Sequence, residues 1–301
     1  MLESNQKTRD ILKKVRQIEL RARILIDEAF CGNYHSIFRG QGIHFEENRE
    51  YCFGDEIRFI DWNVTARMNK PYIKVFREER ELTLLLAVDI SHSTCFGSTQ
   101  QSKREYAAEI ASVLAFSAVR NNDKVGLLLF SDQVEKFIPP QKGHQHLLRL
   151  IREILFFEPE HKKTNIAVAL STLSQLQKRK AIIGLISDFQ IPTKDTADSL
   201  KAMRLINKRH DLICIHTSDP REQKLADVGY IALQDPETDQ TYYVNTHKKS
   251  VLKQFEEEAK KRQEVFYNEC QKQGIDVVKV NNGEPYFSLL QAFFIKRKQI
   301  K

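Results

Sequence analysis

The sequence predicts an α/β fold with a doubly wound, mostly parallel sheet, preceded by a small N-terminal module of one helix and short strands. From residue 82 onward, short apolar segments alternate with longer helical ones, which is the pattern of strands joined by crossover helices. The first apolar segment, Leu82–Ile90, is almost continuously apolar, as expected for a strand covered on both faces. We therefore divide the chain into an N-terminal module, residues 1–81, and an α/β domain, residues 82–301.

The N-terminal module begins with a predicted helix over residues 9–30. Its apolar side chains recur at spacings of three and four from Ile11 to Ala29, which gives one apolar stripe, and Gly32 follows as a stop signal. Residues 34–81 are rich in aromatic and charged side chains and contain several glycines. This composition is typical of short strands and turns.

In the α/β domain, each element is predicted from its apolar periodicity and its flanking turn residues. The predicted strands are Leu82–Ile90, Lys124–Phe130, Val134–Ile138, Ala181–Ser187, Asp211–His216 and Ile275–Val280. The predicted helices are Ser102–Arg120, His144–Phe157, Asn165–Lys178, Thr193–Lys208, Lys249–Gln273 and Pro285–Arg297. A hairpin of Gly229–Leu233 and Thr241–Asn245, within about residues 228–245, is appended before the closing helix–strand–helix.

The composition is that of a globular protein with a full core. Of 301 residues, 41% are hydrophobic and 29% are charged, which argues against a disordered chain. No apolar run approaches the ~20 residues that span a bilayer, and the polar N-terminus does not have the pattern of a secretory signal. The five cysteines form no Cys-x-x-Cys pair, which favours reduced thiols in the cytoplasm over disulfides or a zinc site.

Most of the net charge of +7 comes from the carboxyl-terminal segment. Residues 246–301 hold 12 basic and 7 acidic side chains, a balance of +5. Because acidic residues such as Glu256–Glu258 are interleaved with the basic ones, we interpret this segment as a solvated helix face rather than a nucleic-acid-binding patch. A docking surface for an acidic protein is the remaining alternative.

Oxygen-bearing side chains follow two of the predicted strands. Asp89, Ser91 and Ser93 stand at alternate positions where the first strand of the domain ends, and Asp188 follows the strand that starts at Ala181. Thr164 lies in the loop before a predicted helix. Ligands of such folds bind beyond the carboxyl ends of the strands, and hard oxygen ligands suit Mg²⁺, with Mn²⁺ or Ca²⁺ as alternatives. The simpler interpretation is that these are turn and helix-cap residues.

The order Asp89-x-Ser91-x-Ser93, then Thr164, then Asp188, resembles the von Willebrand factor A domain, a Rossmann-type fold with a metal-ion-dependent adhesion site of this pattern. The resemblance implies that the three hydroxyl side chains would coordinate the metal. The two aspartates would supply charge, partly through bound water. It also implies that an open position on the metal takes an Asp or Glu from a partner protein.

A second group of residues lies upstream, around the chain's single tryptophan. Carboxylates and guanidinium groups in this segment are suited to bidentate pairs. We interpret them as a buried ion-pair network that braces the tryptophan and a glycine turn, rather than as catalytic acids and bases. The residues are Gly54, Asp55, Arg58, Asp61, Trp62 and Arg67.

This upstream segment, with the motifs Gly32-x-Tyr34-x-Ser36, Arg39-Gly40-x-Gly42 and Glu78–Glu81, resembles the bacterial domain-of-unknown-function family 58. The resemblance covers about residues 15–297. It implies a MoxR-type AAA+ ATPase and other von Willebrand A proteins as partners, in chaperone-like complex assembly or envelope stress. Some members carry membrane segments, so peripheral association with membrane complexes is compatible with it.

We therefore expect a non-enzymatic, Mg²⁺-dependent protein-binding adaptor that does not bind nucleic acid. The sequence contains no Gly-x-x-x-x-Gly-Lys-Ser/Thr loop for ATP. The alternative is a phosphatase-like, metal-dependent hydrolase with Asp89 as nucleophile, although Ser91 stands where such an enzyme would want a second Asp. A further hypothesis is that an acidic side chain of the protein itself, from Glu78–Glu81 or elsewhere, is pressed toward the metal site.

Overall fold

The computed structural model describes residues 2–29, 44–77, 81–99, 101–192, 195–234, 237 and 240–300. The strands are β1 (His44–Glu50), β2 (Tyr72–Arg77), β3 (Thr83–Asp89), β4 (Lys124–Phe130), β5 (Val134–Gln141), β6 (Ile182–Ser187), β7 (Asp211–Ser218), β8 (Tyr230–Gln234), β9 (Thr241–Asn245) and β10 (Asp276–Asn281). The helices are α1 (Leu2–Ala29), α2 (Trp62–Met68), α3 (Lys103–Arg120), α4 (His144–Phe156), α5 (Ile166–Leu176), α6 (Thr196–Arg209), α7 (Pro220–Gln223), α8 (Lys249–Lys272) and α9 (Tyr286–Ile300).

The chain forms two compact units, Met1–Ile37 with Thr83–Lys301, and Phe38–Leu82. This division differs from the sequence-based one because α1 belongs to the larger unit. Several residues named above lie outside the described residues. They are the motifs at residues 32–42, residues 78–80 of the Glu78–Glu81 motif, and Thr193, the first residue of a predicted helix.

The larger unit is built on one sheet with the strand order β10-β7-β6-β3-β4-β5. All neighbouring strands are parallel except β4 and β5, which pair antiparallel. From β3 the chain continues to β4 on one side, whereas the strands from β6 onward are added on the other side. The predicted doubly wound, mostly parallel α/β fold is therefore confirmed. In such a sheet, the crevice beyond the carboxyl ends of β3 and β6 is the place where ligands bind.

The core packs on both faces of this sheet. β3 is buried from Leu84 to its end, which agrees with its continuous apolar sequence. On one face its side chains join a cluster with α5, α6 and Cys270 of α8. The other face carries α3, which is buried along nearly its whole length.

α1 covers the outer side of α3. Val15, Ile18 and Ala22 of the predicted apolar stripe are buried in this helix. The stripe continued through Leu25, which is only half-buried, whereas the next residue, Ile26, is buried. At the edge of this stripe, Arg21 pairs with Glu109 of α3 at 2.8 Å. The helix is therefore integral to the larger unit.

β5 is longer than the sequence predicts. It continues to Gln141 through Pro139 and Pro140, where the prediction ended at Ile138. Proline has no amide hydrogen, but an edge strand tolerates it because one side of the strand needs no partner. The sequence pattern could not reveal that this strand lies at the edge.

The smaller unit consists of short elements, as its composition predicts. β1 and β2 pair antiparallel, with Glu50 opposite Tyr72. The chain between them forms a short 3-10 turn, Ile57–Phe59, and α2, which the sequence analysis did not predict. Asp61 is the N-cap residue of α2, and its carboxylate accepts hydrogen bonds from the backbone N–H groups of Asn63 and Val64.

Among the helices that the structure describes, none has both the length and the apolar character that crossing a membrane requires.

The packing of β3, β4 and β5 makes Gly126 sensitive to substitution. A Cβ at Gly126 would lie 2.7 Å from Leu85 Cδ2 and 3.0 Å from the backbone nitrogen of Pro140. We expect Gly126→Ala to lower the free energy of unfolding by about 1–3 kcal/mol, measured by urea denaturation. The control is Gly184→Ala, where the nearest atom is Leu86 Cδ2 at 3.2 Å and no backbone atom is in contact, so a smaller loss is expected. Equal losses would contradict this account.

Candidate metal site

The site lies at the carboxyl ends of β3 and β6, the point where the sheet reverses its winding. Asp89 is the last residue of β3 and is 1% exposed. Its Oδ1 accepts a hydrogen bond from Ser91 N at 2.9 Å, and its Oδ2 accepts one from Ser187 Oγ at 2.7 Å. Because Ser187 ends β6, this second bond joins the two central strands. The carboxylate is therefore fixed before any ligand binds.

Ser91 and Ser93 come together through a turn rather than through continued extension. After β3 the chain enters a short 3-10 helix, His92–Cys95. The turn places Ser91 Oγ and Ser93 Oγ 3.0 Å apart, and both side chains are buried. The alternate spacing of these residues suggested an extended backbone, whereas the 3-10 turn brings the two hydroxyl groups together.

Asp188 follows β6 directly and is also buried. Its Oδ1 accepts a hydrogen bond from Gln190 N at 3.2 Å, and its side chain also bonds the hydroxyl of Ser93. The next residue, Phe189, has φ 49°, a left-handed conformation that is uncommon outside glycine. Such strain is typical of functional sites.

Thr164 approaches from the loop before α5. The side chain of the following residue, Asn165, caps α5 by accepting a hydrogen bond from Val168 N. The backbone N–H of Asn165 donates to Ser131 O at 2.8 Å. These bonds hold the buried Thr164 in place. Thr164 Oγ1 donates a hydrogen bond to Glu237 Oε1 at 2.8 Å. Glu237 lies between β8 and β9, so a residue of the appended hairpin reaches the candidate site.

Lys103 and Glu222 also lie at this site, and neither was predicted from the sequence. Lys103, the first residue of α3, has no exposed side-chain surface. Its Nζ donates to Asp188 Oδ2 at 2.6 Å and to Glu222 Oε1 at 2.5 Å. For Glu222 the sequence did contain a signal. Glu222 follows the predicted strand Asp211–His216 and forms a capping box with Asp219, so it could have been expected at this edge of the sheet. No sequence signal marks Lys103 as buried.

The electrostatics of the two aspartates differ. Burial, together with the nearby Asp188 carboxylate, raises the pKa of Asp89 well above its usual range. Burial acts in the same direction on Asp188, but the Lys103 ammonium outweighs it and holds the pKa of Asp188 below its usual range. Two buried carboxylates that repel each other favour a cation placed between them.

The donor set fits a hard cation such as Mg²⁺. In the part of the chain that the structure describes, no group of three or more His, Cys, Asp or Glu side chains is arranged to hold a metal ion. A cation at this site would therefore depend on hydroxyl oxygens together with the two aspartates. Hydroxyl, carboxylate and water oxygens are ligands that Mg²⁺ and Ca²⁺ accept, whereas Zn²⁺ sites use nitrogen and sulfur.

The upstream group does not form the predicted network. Asp55 pairs with Arg49, a residue outside the predicted set, in a bidentate contact of 2.7 and 2.9 Å. Arg58 pairs with Glu56, and its guanidinium lies over the Phe59 ring. The predicted pairing within the group is wrong, because the β1–β2 pairing places Arg49 beside the turn and local spacing could not show this.

The upstream tryptophan is not enclosed by ion pairs. The side chain of Trp62 is 67% exposed, and Arg67 is exposed in the last turn of α2. Gly54 has a positive φ of 108° in the turn that precedes them. Asp61 serves as the cap of α2 and lies 3.5 Å from Lys74 Nζ. The prediction of a buried ion-pair network around Trp62 is therefore wrong, and these side chains organise a surface turn and a short helix.

Comparisons with known proteins give one family. The family described as "Protein of unknown function DUF58" matches residues 47–265. The uncharacterized protein Rv1480 of Mycobacterium tuberculosis is 31% identical over 226 residues, which is 74% of this chain and 70% of that protein. The uncharacterized protein Mb1516 of Mycobacterium bovis matches to the same extent.

The comparison with solved structures gives matches of low TM-score and low sequence identity, of which two are described. The conserved hypothetical protein BatB from Bacteroides thetaiotaomicron has a TM-score of 0.45 at 16% identity, covering 72% of this chain and 99% of that one. The SpRpn10 VWA domain has a TM-score of 0.39 at 10% identity, covering 70% and 94%.

Lys103 can be tested through stability. Lys103→Met keeps most of the side-chain volume but removes the ammonium group. We expect the free energy of unfolding to fall by about 3–5 kcal/mol, because the buried Asp188 and the partly buried Glu222 would lose their shared cation. Urea denaturation in the presence of a chelator measures this loss.

The matched control is Lys136→Met. Lys136 pairs with Glu153 at 2.8 Å but is partly exposed, so its removal should change stability by about 1 kcal/mol or less. If the two variants lose the same stability, Lys103 does not have the role assigned to it.

Proposed function

The chain belongs to the DUF58 family, and on that premise we propose that it is a non-enzymatic adaptor that binds a partner protein's carboxylate through Mg²⁺. One observation carries the proposal. Asp89, Ser91, Ser93 and Asp188 are linked by hydrogen bonds at the adjacent ends of β3 and β6. The loop that carries the buried Thr164 comes close to them, since Lys162 O accepts a hydrogen bond from His92 N at 3.0 Å. Mn²⁺ and Ca²⁺ are alternative ions for the same oxygens.

Each residue has a distinct role in this proposal. Ser91, Ser93 and Thr164 would hold the metal through their hydroxyl oxygens. Asp89 and Asp188 would supply charge, partly through bound water. When bound, Mg²⁺ supplies a position that accepts one more oxygen ligand, and the partner's Asp or Glu would take it.

The charge balance of the buried groups supports a divalent ion. Asp89, Asp188 and Glu222 contribute three negative charges when ionised, and Lys103 contributes one positive charge, which leaves two negative charges. A dication neutralises this remainder. Uncompensated buried charges are destabilising, so either a cation or protonation of Asp89, whose pKa burial raises, must offset this remainder. The balance is compatible with a divalent cation at this place.

We further propose, from the family resemblance, a MoxR-type AAA+ ATPase and other von Willebrand A proteins as partners, in complex assembly or envelope stress. The proposed location is the cytoplasm. Cys214 and Cys270 are buried and free of disulfides, in keeping with a reducing compartment.

The hydrolase alternative has less support. Asp89 would be the nucleophile, but it is 1% exposed, and each of its oxygens already accepts a hydrogen bond. Such a group is poorly placed for in-line attack on a phosphate ester. Turnover of phosphate esters with Mg²⁺ that disappears in Asp89→Asn would favour the hydrolase over the adaptor.

Metal binding is tested by titration calorimetry with Mn²⁺ and Mg²⁺. Ser91→Ala removes one proposed ligand, so the affinity should fall by at least roughly 10- to 100-fold. Ser171→Ala is the control, since Ser171 is an exposed serine of α5 whose hydroxyl donates to Val168 O. Unchanged binding in Ser91→Ala would overturn the proposed ligand set.

Partner binding is tested by capture of a purified MoxR-type ATPase from the same organism. The wild type should retain the ATPase with Mg²⁺ and release it with chelator, because the metal would form the contact. Asp89→Ala should not retain it, while its circular dichroism spectrum stays that of the wild type. Equal capture by both proteins, or capture that is insensitive to chelator, would contradict a metal-mediated contact.

A further inference from the structure

Basic side chains are concentrated at the amino ends of three neighbouring strands, the opposite end of the sheet from the candidate metal site. β6, β7 and β10 are adjacent and parallel, so the connections that enter them lie at one edge. These connections, residues 177–181, 204–211 and 269–276, contain seven basic and three acidic side chains. The seven basic side chains are exposed, and we call them the amino-edge surface: Lys178–Lys180, Arg204, Lys208, Arg209 and Lys272.

Hydrogen bonds join the three connections to one another. Ala181 N donates to His210 Nδ1 at 3.3 Å, which links the connection before β6 to the one before β7. Asn207 Nδ2 donates to Gly274 O at 3.1 Å, which links the connection before β7 to the one before β10. The amino-edge surface is therefore continuous across the three strands.

A cavity of about 520 Å³ lies within this surface, between the last turns of α6 and α8. Three cations and one carboxylate line it, together with two amide side chains. The carboxylate, Glu269, pairs with Lys272 at 2.6 Å, which leaves Arg204 and Lys208 as the remaining charges of the lining. The cavity is therefore suited to an anionic group.

The acidic side chains at this edge do not compensate the surface. Asp211 and Asp276 both pair with Arg297 of α9, whose side chain is 9% exposed. Glu269 compensates only Lys272. Within the described part of the chain, the other six basic side chains of the amino-edge surface have no carboxylate partner.

Helix ends account for only part of this charge. Lys208 and Arg209 lie in the last turn of α6 and Lys272 in the last turn of α8, where the helix macrodipole favours cations. Lys178–Lys180, however, are three consecutive cations beyond the end of α5. Arg204 and Lys208 are four residues apart on α6, a like-charge spacing that destabilises a helix. Stability of the fold therefore does not explain Lys178–Lys180 or Arg204.

We propose that the amino-edge surface binds the anionic phospholipid headgroups of a membrane surface. Two exposed leucines lie beside the cations in the chain: Leu176 precedes Lys178 by two residues, and Leu205 follows Arg204 directly. Cations with exposed apolar side chains among them are typical of surfaces that rest in the headgroup layer. The cavity would receive the phosphate of one headgroup.

The same observations argue against other polyanions. The three connections contain no Phe, Tyr or Trp on which the bases of a single strand could stack. α5, α6 and α8 meet this edge with their carboxyl-terminal ends, so no helix lies across it to enter the groove of a duplex. Protein interfaces are rich in aromatic residues and poor in lysine, whereas four of the seven cations here are lysines.

Membrane binding through this edge would orient the larger unit. The candidate metal site lies at the carboxyl ends of the strands, so it would be directed away from the membrane. A partner could then reach the metal site while the protein is bound to the membrane. The proposed surface does not depend on a metal, and each can be tested without the other.

The test measures sedimentation of the full chain with vesicles of phosphatidylcholine, alone or mixed with phosphatidylglycerol, in the presence of chelator. We expect binding to the mixed vesicles only, and weaker binding as salt is raised. The triple variant Lys178→Gln, Arg179→Gln and Lys180→Gln removes three of the cations. Each cation near an anionic surface strengthens binding by about 5-fold, so the partition coefficient should fall by about 100-fold.

The matched control removes the same charge from the other end of α8. Lys248→Gln, Lys249→Gln and Lys253→Gln change three exposed lysines at the start of that helix. They lie about 30 Å along the helix from Lys272, beyond the range of screened electrostatic attraction. The control should bind the mixed vesicles as the wild type does, and urea denaturation should give the same midpoint for all three proteins.

Three outcomes would overturn the proposal. The first is a wild type that does not bind vesicles containing phosphatidylglycerol. The second is an equal loss of binding in the two triple variants, because net charge and not the amino-edge surface would then be responsible. The third is tighter binding to a DNA oligonucleotide than to the vesicles, lost in the same Lys178–Lys180 variant, which would make nucleic acid the ligand of this surface.

Discussion

One buried ammonium group organises the carboxyl edge of the sheet. Lys103 Nζ lies between Asp188 at the end of β6 and Glu222 in α7 after β7. The backbone amide of the same residue donates to Phe96 O at 2.9 Å, at the end of the turn that carries Ser91 and Ser93. Lys103 thus joins three loops that come from different strands. Because it has no exposed side-chain surface, water cannot replace these contacts, and the loops depend on it.

Lys103 holds the loops of the site together but does not neutralise all of its negative charge. Lys103 compensates Asp188 directly, so the loops can be ordered without a metal. Glu222 shares the same ammonium, so when Asp89 is ionised two negative charges of this group remain without a cation. The site is therefore preorganised and still negative, which are the two properties that let a small cation bind without rearranging the protein. A site assembled only by the metal would instead link folding to metal binding.

The sequence revealed those parts of the fold and site that depend on local pattern. β4 and β9 were predicted with their bounds. β4 is a short buried apolar run, and the exposed β9 is delimited by the turn residues that flank it. Asp89 and Asp188 were predicted to be neighbours because the carboxyl ends of parallel strands meet at one edge. That argument needs only the order of the strands and no side-chain detail.

The residues that were missed all act across long separations in the chain. Lys103 contacts Asp188 and Glu222 across 85 and 119 residues, and Glu237 contacts Thr164 across 73. Charged residues occur throughout this sequence, and nothing local distinguishes a buried lysine from an exposed one. The same limit explains Asp55, whose partner Arg49 is brought near by β1 and not by the motif around Trp62. Only the folded chain shows which charges meet.

The buried and exposed parts of the site have different physical consequences. Asp89, Asp188 and Lys103 are held by several hydrogen bonds in a closed core, so changing one of them changes stability as well as binding. Glu237 contacts Thr164 from the turn between β8 and β9, and the base of that hairpin has its own anchor at Thr246. Because this contact lies outside the buried core, changing Glu237 should affect stability less than changing Asp89, Asp188 or Lys103.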